Sequence, residues 1–125
     1  VGGKVIGVDV DQKAIIDGTY GEGMTLTSAM TGLAATIEDT LKDVIENDNW
    51  ANYGGKIATL GLASEDPTAN YVQLPLESTA WTEGFSQEDY AALVKAMFAG
   101  EITVSSDITA QPAVGYTVNT YANIK

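Results

Sequence analysis

No cysteine, no histidine and no arginine occur in the 125 residues. Without cysteine there is no disulfide framework, no thiolate nucleophile and no zinc–sulfur centre. That absence is silent on compartment, because a secreted protein need not carry disulfides. Without histidine, the usual catalytic triads and most transition-metal sites are excluded. Positive charge is scarce: 6 lysines face 17 acids, for a formal net charge of -11. Such a surface repels nucleic-acid phosphates and anionic lipid headgroups, so nucleic acid is set aside as a partner. An acidic field suits a neutral or cationic ligand and, more simply, keeps a chain in solution. No apolar run reaches the roughly 18 residues a membrane-spanning helix needs. No signal peptide is visible. The chain opens on Val1-Gly2-Gly3, almost directly at a strand, which is expected of a piece excised from a longer polypeptide.

What is there suffices for one compact domain, with 45% of residues apolar. Residues 4–10 predict a strand. Val5, Ile6 and Val8 are β-branched and nearly continuous, as in a strand buried in a parallel sheet. Residues 13–26 carry Gly18, Gly21 and Gly23 and read as loop, with a short extended piece at Met24-Thr25-Leu26. Met30, Leu33, Ala34, Ile37, Leu41, Val44 and Ile45 then recur at helical spacing and predict a helix over 28–47, capped by Thr27 or Ser28. Residues 56–62 alternate as a strand does. Val72, Leu74 and Leu76 alternate too, but Pro75 confines that strand to an edge or a bulge. Ser86-Gln87-Glu88-Asp89 forms a capping box with aspartate in place of glutamate, ahead of a helix over 87–99 that Gly100 stops. Residues 102–104 are extended. The tail is polar, with Val114, Tyr116, Val118 and Tyr121 in partial alternation. The order of elements indicates α/β layering.

The chemistry concentrates at "KVIGVDVDQ", residues 4–12. Asp9 and Asp11 stand at the C-terminal end of the first strand, where open α/β sheets bind ligands. A carboxylate there can bridge neighbouring hydroxyls of a sugar, or it can cap its own turn. In a continuing strand the two acids point to opposite sides. A metal reading is weaker, because Lys13 and Ala14 stand where the calcium-loop pattern needs an acid or amide and a glycine. A sharper alternative is a magnesium-dependent phosphatase of the haloacid-dehalogenase-like type using Asp9. Its Asp-x-Asp-x-Thr pattern keeps both acids here and loses the threonine to Lys13. A nucleophilic carboxylate also needs positive charge to hold the phosphoryl group, and this chain has little. Trp50, Tyr53, Tyr71, Trp81 and Tyr90 either stack on a flat ring or pack the core. Glu38, Asp39, Asp43 and Glu46 form a solvated helix face.

Three segments, "VIGVDVDQ", "LTSAMTGLAATIEDTLKDVI" and "YGGKIATLGLASEDPTANYVQLP", resemble in order and spacing the C-terminal part of the basic-membrane-protein family, over about residues 4–104. These are substrate-binding lipoproteins of ABC transporters, related to purine-nucleoside receptors. The resemblance implies an α/β fold that is part of a type I periplasmic binding protein, a parallel sheet with flanking helices. It implies a non-enzymatic binder without a cofactor, which traps a nucleoside or similar small polar molecule between two lobes. The strand-end aspartate of the family's "GVD" bonds ribose hydroxyls, which corresponds to Asp9. The candidate ligand-binding set is Asp9, Asp11, Gln12 and Thr31. Thr31 stands where the family's "TSxxK" segment places a cleft lysine, so a charged donor is lost and at most a weaker hydroxyl donor remains. The resemblance further implies a lipid anchor and an N-terminal portion outside this chain, a location at the cell surface or periplasm, and a transporter permease as partner. Elements from both lobes would then lie in residues 1–125, leaving apolar faces and strand edges that favour self-association.

Overall fold

A computed structural model describes residues 2–111, 113–115 and 117–119. It is a small α/β domain built on a three-stranded mixed sheet. The strands are β1 (Val5–Asp9), β2 (Thr25–Thr31) and β3 (Val72–Gln73), in the spatial order β1-β2-β3. The helices are α1 (Lys13–Tyr20), α2 (Leu33–Glu46) and α3 (Gln87–Phe98). β1 and β2 run parallel, with Gly7 opposite Ser28 and Asp9 opposite Met30. β3 is antiparallel to β2, with Thr31 opposite Val72, so the sheet is not parallel throughout. Pro75 lies two residues past β3, whose place at the sheet edge is where a strand beside a proline belongs.

Two elements differ from the sequence expectation for one reason. Residues 13–20 are helical although Gly18 lowers their intrinsic preference. Residues 25–31 are a strand although the helical stripe runs back to Met30. Pairing with β1 claims 25–31, and the turn between the two parallel strands must then cross over, which α1 does. Asp17 joins them. It is buried, and its carboxylate accepts the Lys13 ammonium, the Gly23 N–H at 3.1 Å and the Thr25 N–H at 2.8 Å. The helix α2 therefore starts at Leu33, after Gly32, and Ser28 is no cap: its hydroxyl accepts the Gln12 N–H.

The Lys13 ammonium, followed by the Thr25 and Gly23 amides, holds the Asp17 carboxyl well below the ordinary carboxylate range. A depressed folded-state value contributes stability above the unfolded value of about 4, and that contribution is lost as the pH falls through and below it. Acid titration followed by circular dichroism should therefore show unfolding begin below that value. Asp17→Asn should lower stability at neutral pH and flatten the acid limb. An acid limb unchanged in the variant would remove Asp17 from this role.

The remaining elements follow local rules. Ser86 Oγ accepts the Asp89 N–H at 3.2 Å and Asp89 Oδ2 accepts the Ser86 N–H at 2.8 Å, a complete capping box at the start of α3. Gly100, at φ 78°, follows the helix's last turn. Residues 56–62 form no ladder with the described residues and are nearly all exposed, so their alternation finds no partner strand. Residues 102–104 are irregular. Of the alternating tail residues, Tyr116 and Tyr121 lie outside the described set; Val114 and Val118 form no strand with it.

Tyr90 and Val94, both on α3, are the only apolar side chains buried among the described residues. Trp81 lies against Tyr90 with ring centroids 5.7 Å apart and near Phe85 at 6.3 Å, while its Nε1–H donates to the Leu76 carbonyl at 2.8 Å. Those two aromatics therefore pack. Tyr53 and Tyr71 donate to Asp43 and Asp39, and Trp50 is exposed.

Candidate binding edge at the strand ends

The end of β1 and the end of β2 lie side by side, because the two strands are parallel and in register there. This brings Asp9 beside Met30, one residue before Thr31. Asp9 is exposed, and its carboxylate accepts no hydrogen bond from the described residues. The backbone holds it there in an uncommon way. The Val10 N–H donates to the Val8 carbonyl at 2.9 Å, closing a three-residue turn centred on Asp9, whose φ is 75°. That side of φ is strained for a residue with a Cβ, by about 1–3 kcal/mol. Strain of this kind persists only where the surroundings enforce it.

The enforcing residue is Gln12. Its side-chain Oε1 accepts the Val8 N–H at 3.1 Å, and its own N–H donates to Ser28 Oγ at 3.1 Å. Gln12 thus folds back over β1 and staples the turn to β2. Gly7 permits this approach: a Cβ at residue 7 would lie 2.5 Å from Ser28 Oγ and 3.0 Å from the Gln12 Cβ. Ser28 itself is fully buried, while the Val8–Gln12 bond lies at the surface. Asp11 also acts locally. Its Oδ1 accepts the Lys13 N–H at 3.1 Å, as a turn aspartate does ahead of a helix.

The four candidate residues therefore divide. Asp9 and Thr31 are exposed at the same end of the sheet. Asp11 and Gln12 sit next to them, the Gln12 Oε1 and one Asp11 oxygen each accepting a main-chain N–H. The Gln12 side-chain amide hydrogens donate to no described residue. The phosphoryl-transfer alternative requires a cation beside Asp9. Lys13, the closest lysine in the sequence, is instead tied to Asp17 and lies 3.8 Å from Glu22. No group of three or more possible metal-ligating side chains occurs among the described residues.

The floor of this edge contains residues that periodicity did not single out. Asn70 is fully buried. Its Oδ1 accepts the Ala63 and Ser64 N–H groups at 2.8 and 2.9 Å, and its Nδ2 donates to the Asp66 carbonyl at 2.7 Å. It shapes the 63–70 loop and delivers Tyr71, whose carbonyl accepts the Gly32 N–H at 2.8 Å. The visible signal is the turn-rich run "ASEDPTAN", which ends on an amide that can donate and accept at once. Comparison with protein-family models, with curated proteins and with solved structures finds no match to this chain.

Proposed function

We propose that this chain is part of the solute-binding component of an ABC importer, and that it contributes one wall of a site for a nucleoside or a similar small polar molecule. The reading follows the resemblance to basic-membrane-protein lipoproteins. On it, the chain is a C-terminal portion of a type I periplasmic-binding fold that is lipid-anchored at the cell surface or in the periplasm and works with a membrane permease. The observation that supports it best is the state of Asp9. A carboxylate without a hydrogen-bond donor among the described residues, at the open end of a parallel strand pair, on a strained turn stapled by Gln12, is arranged to accept hydrogen bonds from outside. Thr31 can add a hydroxyl donor and acceptor from the adjoining strand. No bond is made or broken in the solute.

The test is calorimetric titration of nucleosides into the protein carrying this segment together with its opposite lobe. Asp9→Asn keeps the size of the side chain and tolerates positive φ. It should weaken binding about tenfold or more, the scale of a lost charge-assisted hydrogen bond. Unchanged affinity would take Asp9 out of the site. Magnesium-dependent release of phosphate from a phosphate monoester, abolished by Asp9→Asn, would instead establish the phosphatase alternative.

A further inference from the structure

Only one proline in the chain follows an acid: Asp66 precedes Pro67, whereas Leu74 precedes Pro75 and Gln111 precedes Pro112. An aspartate can close a five-membered ring on its own main-chain carbonyl carbon, an intramolecular attack with a large effective concentration. Proline favours that route. Its nitrogen carries no hydrogen, so the rival ring closure, in which the following amide nitrogen attacks the side chain, is blocked. The loop then supplies what an unfolded chain lacks. The Asp66 carbonyl oxygen accepts two hydrogen bonds, from Asn70 Nδ2 at 2.7 Å and from the Ala69 N–H at 3.1 Å. Donors fixed on a carbonyl oxygen stabilise the negative charge it gains when its carbon is attacked. Asn70 is fully buried, and the Ala63 and Ser64 N–H groups anchor its Oδ1, so its amide cannot swing away. The carboxylate is placed as well. The Thr68 N–H and hydroxyl both donate to Asp66 Oδ1, at 2.8 and 2.7 Å, and Oδ2 accepts from no described residue. The Thr68 amide, then its hydroxyl, hold the Asp66 carboxyl below the ordinary carboxylate range, so it stays ionised and nucleophilic in mild acid. Asp66 is exposed, so water reaches it.

We propose that the 63–70 loop is a self-cleaving site: Asp66 Oδ2 attacks the Asp66 carbonyl carbon, while Asn70 Nδ2 and the Ala69 N–H hold the oxyanion. The bond from that carbon to the Pro67 nitrogen breaks. The nitrogen keeps the bonding pair and takes a proton from solvent, leaving as a secondary amine. A cyclic anhydride remains on Asp66. Water adds to it and opens it to two carboxyl groups, so one water is consumed for each bond cut. The products are residues 1–66, ending on Asp66, and residues 67–125, starting on Pro67. This chemistry does not rest on the solute-binding reading, and it uses none of the residues assigned to that site.

The test holds the whole chain at about pH 5, above the range where the Asp17 contribution is lost, and follows the two fragments by mass spectrometry. The same chain in urea at the same pH gives the rate of the bond without its loop. The folded chain should cleave about tenfold faster or more, at a rate independent of protein concentration. Hydroxylamine present during the reaction should be found as a hydroxamate on fragment 1–66, the mark of an anhydride. Asn70→Asp keeps the Oδ1 acceptor and removes the amide donor, so its rate should fall about tenfold or more, with circular dichroism to confirm the fold. The comparison of folded chain with urea needs no variant and decides the matter even where Asn70→Asp does not fold. Cleavage no faster in the folded chain would overturn the proposal, because the loop would then protect the bond. A rate that rises with protein concentration, or fragments without hydroxamate, would overturn it in favour of cleavage from outside.

Discussion

Replacing Asn70 with alanine should destabilise the fold by about 3 kcal/mol, read from urea unfolding followed by circular dichroism. The figure comes from three hydrogen bonds converging on one fully buried amide: two main-chain N–H groups donating to Oδ1, and one carbonyl accepting from Nδ2. Each such bond is worth about 1 kcal/mol net, and a stranded buried partner costs more than the bond itself contributed. The methyl group of alanine leaves all three partners unpaired at once. The loss should be local before it is global. The 63–70 loop closes on Asn70, so proteolysis in that loop should accelerate ahead of overall unfolding. The ordering of Tyr71 against Gly32 depends on the same loop, so the sheet edge at Thr31 should loosen as well. A change under about 1 kcal/mol would mean that water replaces Asn70 as partner to these groups.

Gly32→Ala should be at least as damaging, by about 3 kcal/mol or more. The cause is steric. Gly32 has a negative φ, and its backbone conformation does not demand glycine. The demand comes from proximity. A Cβ at residue 32 would overlap the Asn70 carbonyl oxygen and lie 3.0 Å from the Asn70 carbonyl carbon and 3.1 Å from the Tyr71 Cα. All three are main-chain atoms, which cannot swing aside as a side-chain tip can. Alanine must therefore part β2 from the segment leading into β3 and break the Gly32–Tyr71 hydrogen bond. Gly18→Ala is the matched control. A Cβ there meets nothing within 4 Å, and the position is inside α1. That substitution should stabilise by about 0.5–1 kcal/mol, through helix propensity and a less flexible unfolded chain. If the two alanines had similar effects in the same unfolding assay, the contact argument at Gly32 would fail.

These two residues show where reading along the chain stops. β1 was visible as a β-branched run, and α3 as a stripe behind a capping box, because each signal lies within a few residues and is settled there. The start of α2 was not visible. Met30 fits a helical stripe and an alternating strand equally well, and only pairing with β1 chooses between them. α1 was hidden by Gly18. Its lysine precedes its aspartate, the weaker order for a pair four residues apart, and Asp17 owes its partners at Gly23 and Thr25 to the fold. The alternation at 56–62 points the opposite way: a clear strand pattern that finds no partner among the described residues makes no strand.

At the candidate site the same division holds. The residue types in "GVDVDQ" place a carboxylate, a second carboxylate and an amide at a strand end, and this much is written in the order of the amino acids. Which of them remains available is a matter of three-dimensional contact. Gln12 Oε1 and one Asp11 oxygen turn to main-chain N–H groups, while the Asp9 carboxylate accepts none from the described residues. Composition alone set the acidic surface and ruled out thiol and imidazole chemistry, since no folding can supply side chains the chain lacks. Burial, register and the exposed apolar stripe of α2 arise from residues far apart in the chain meeting, or failing to meet, in space, and short-range periodicity carries no record of such meetings.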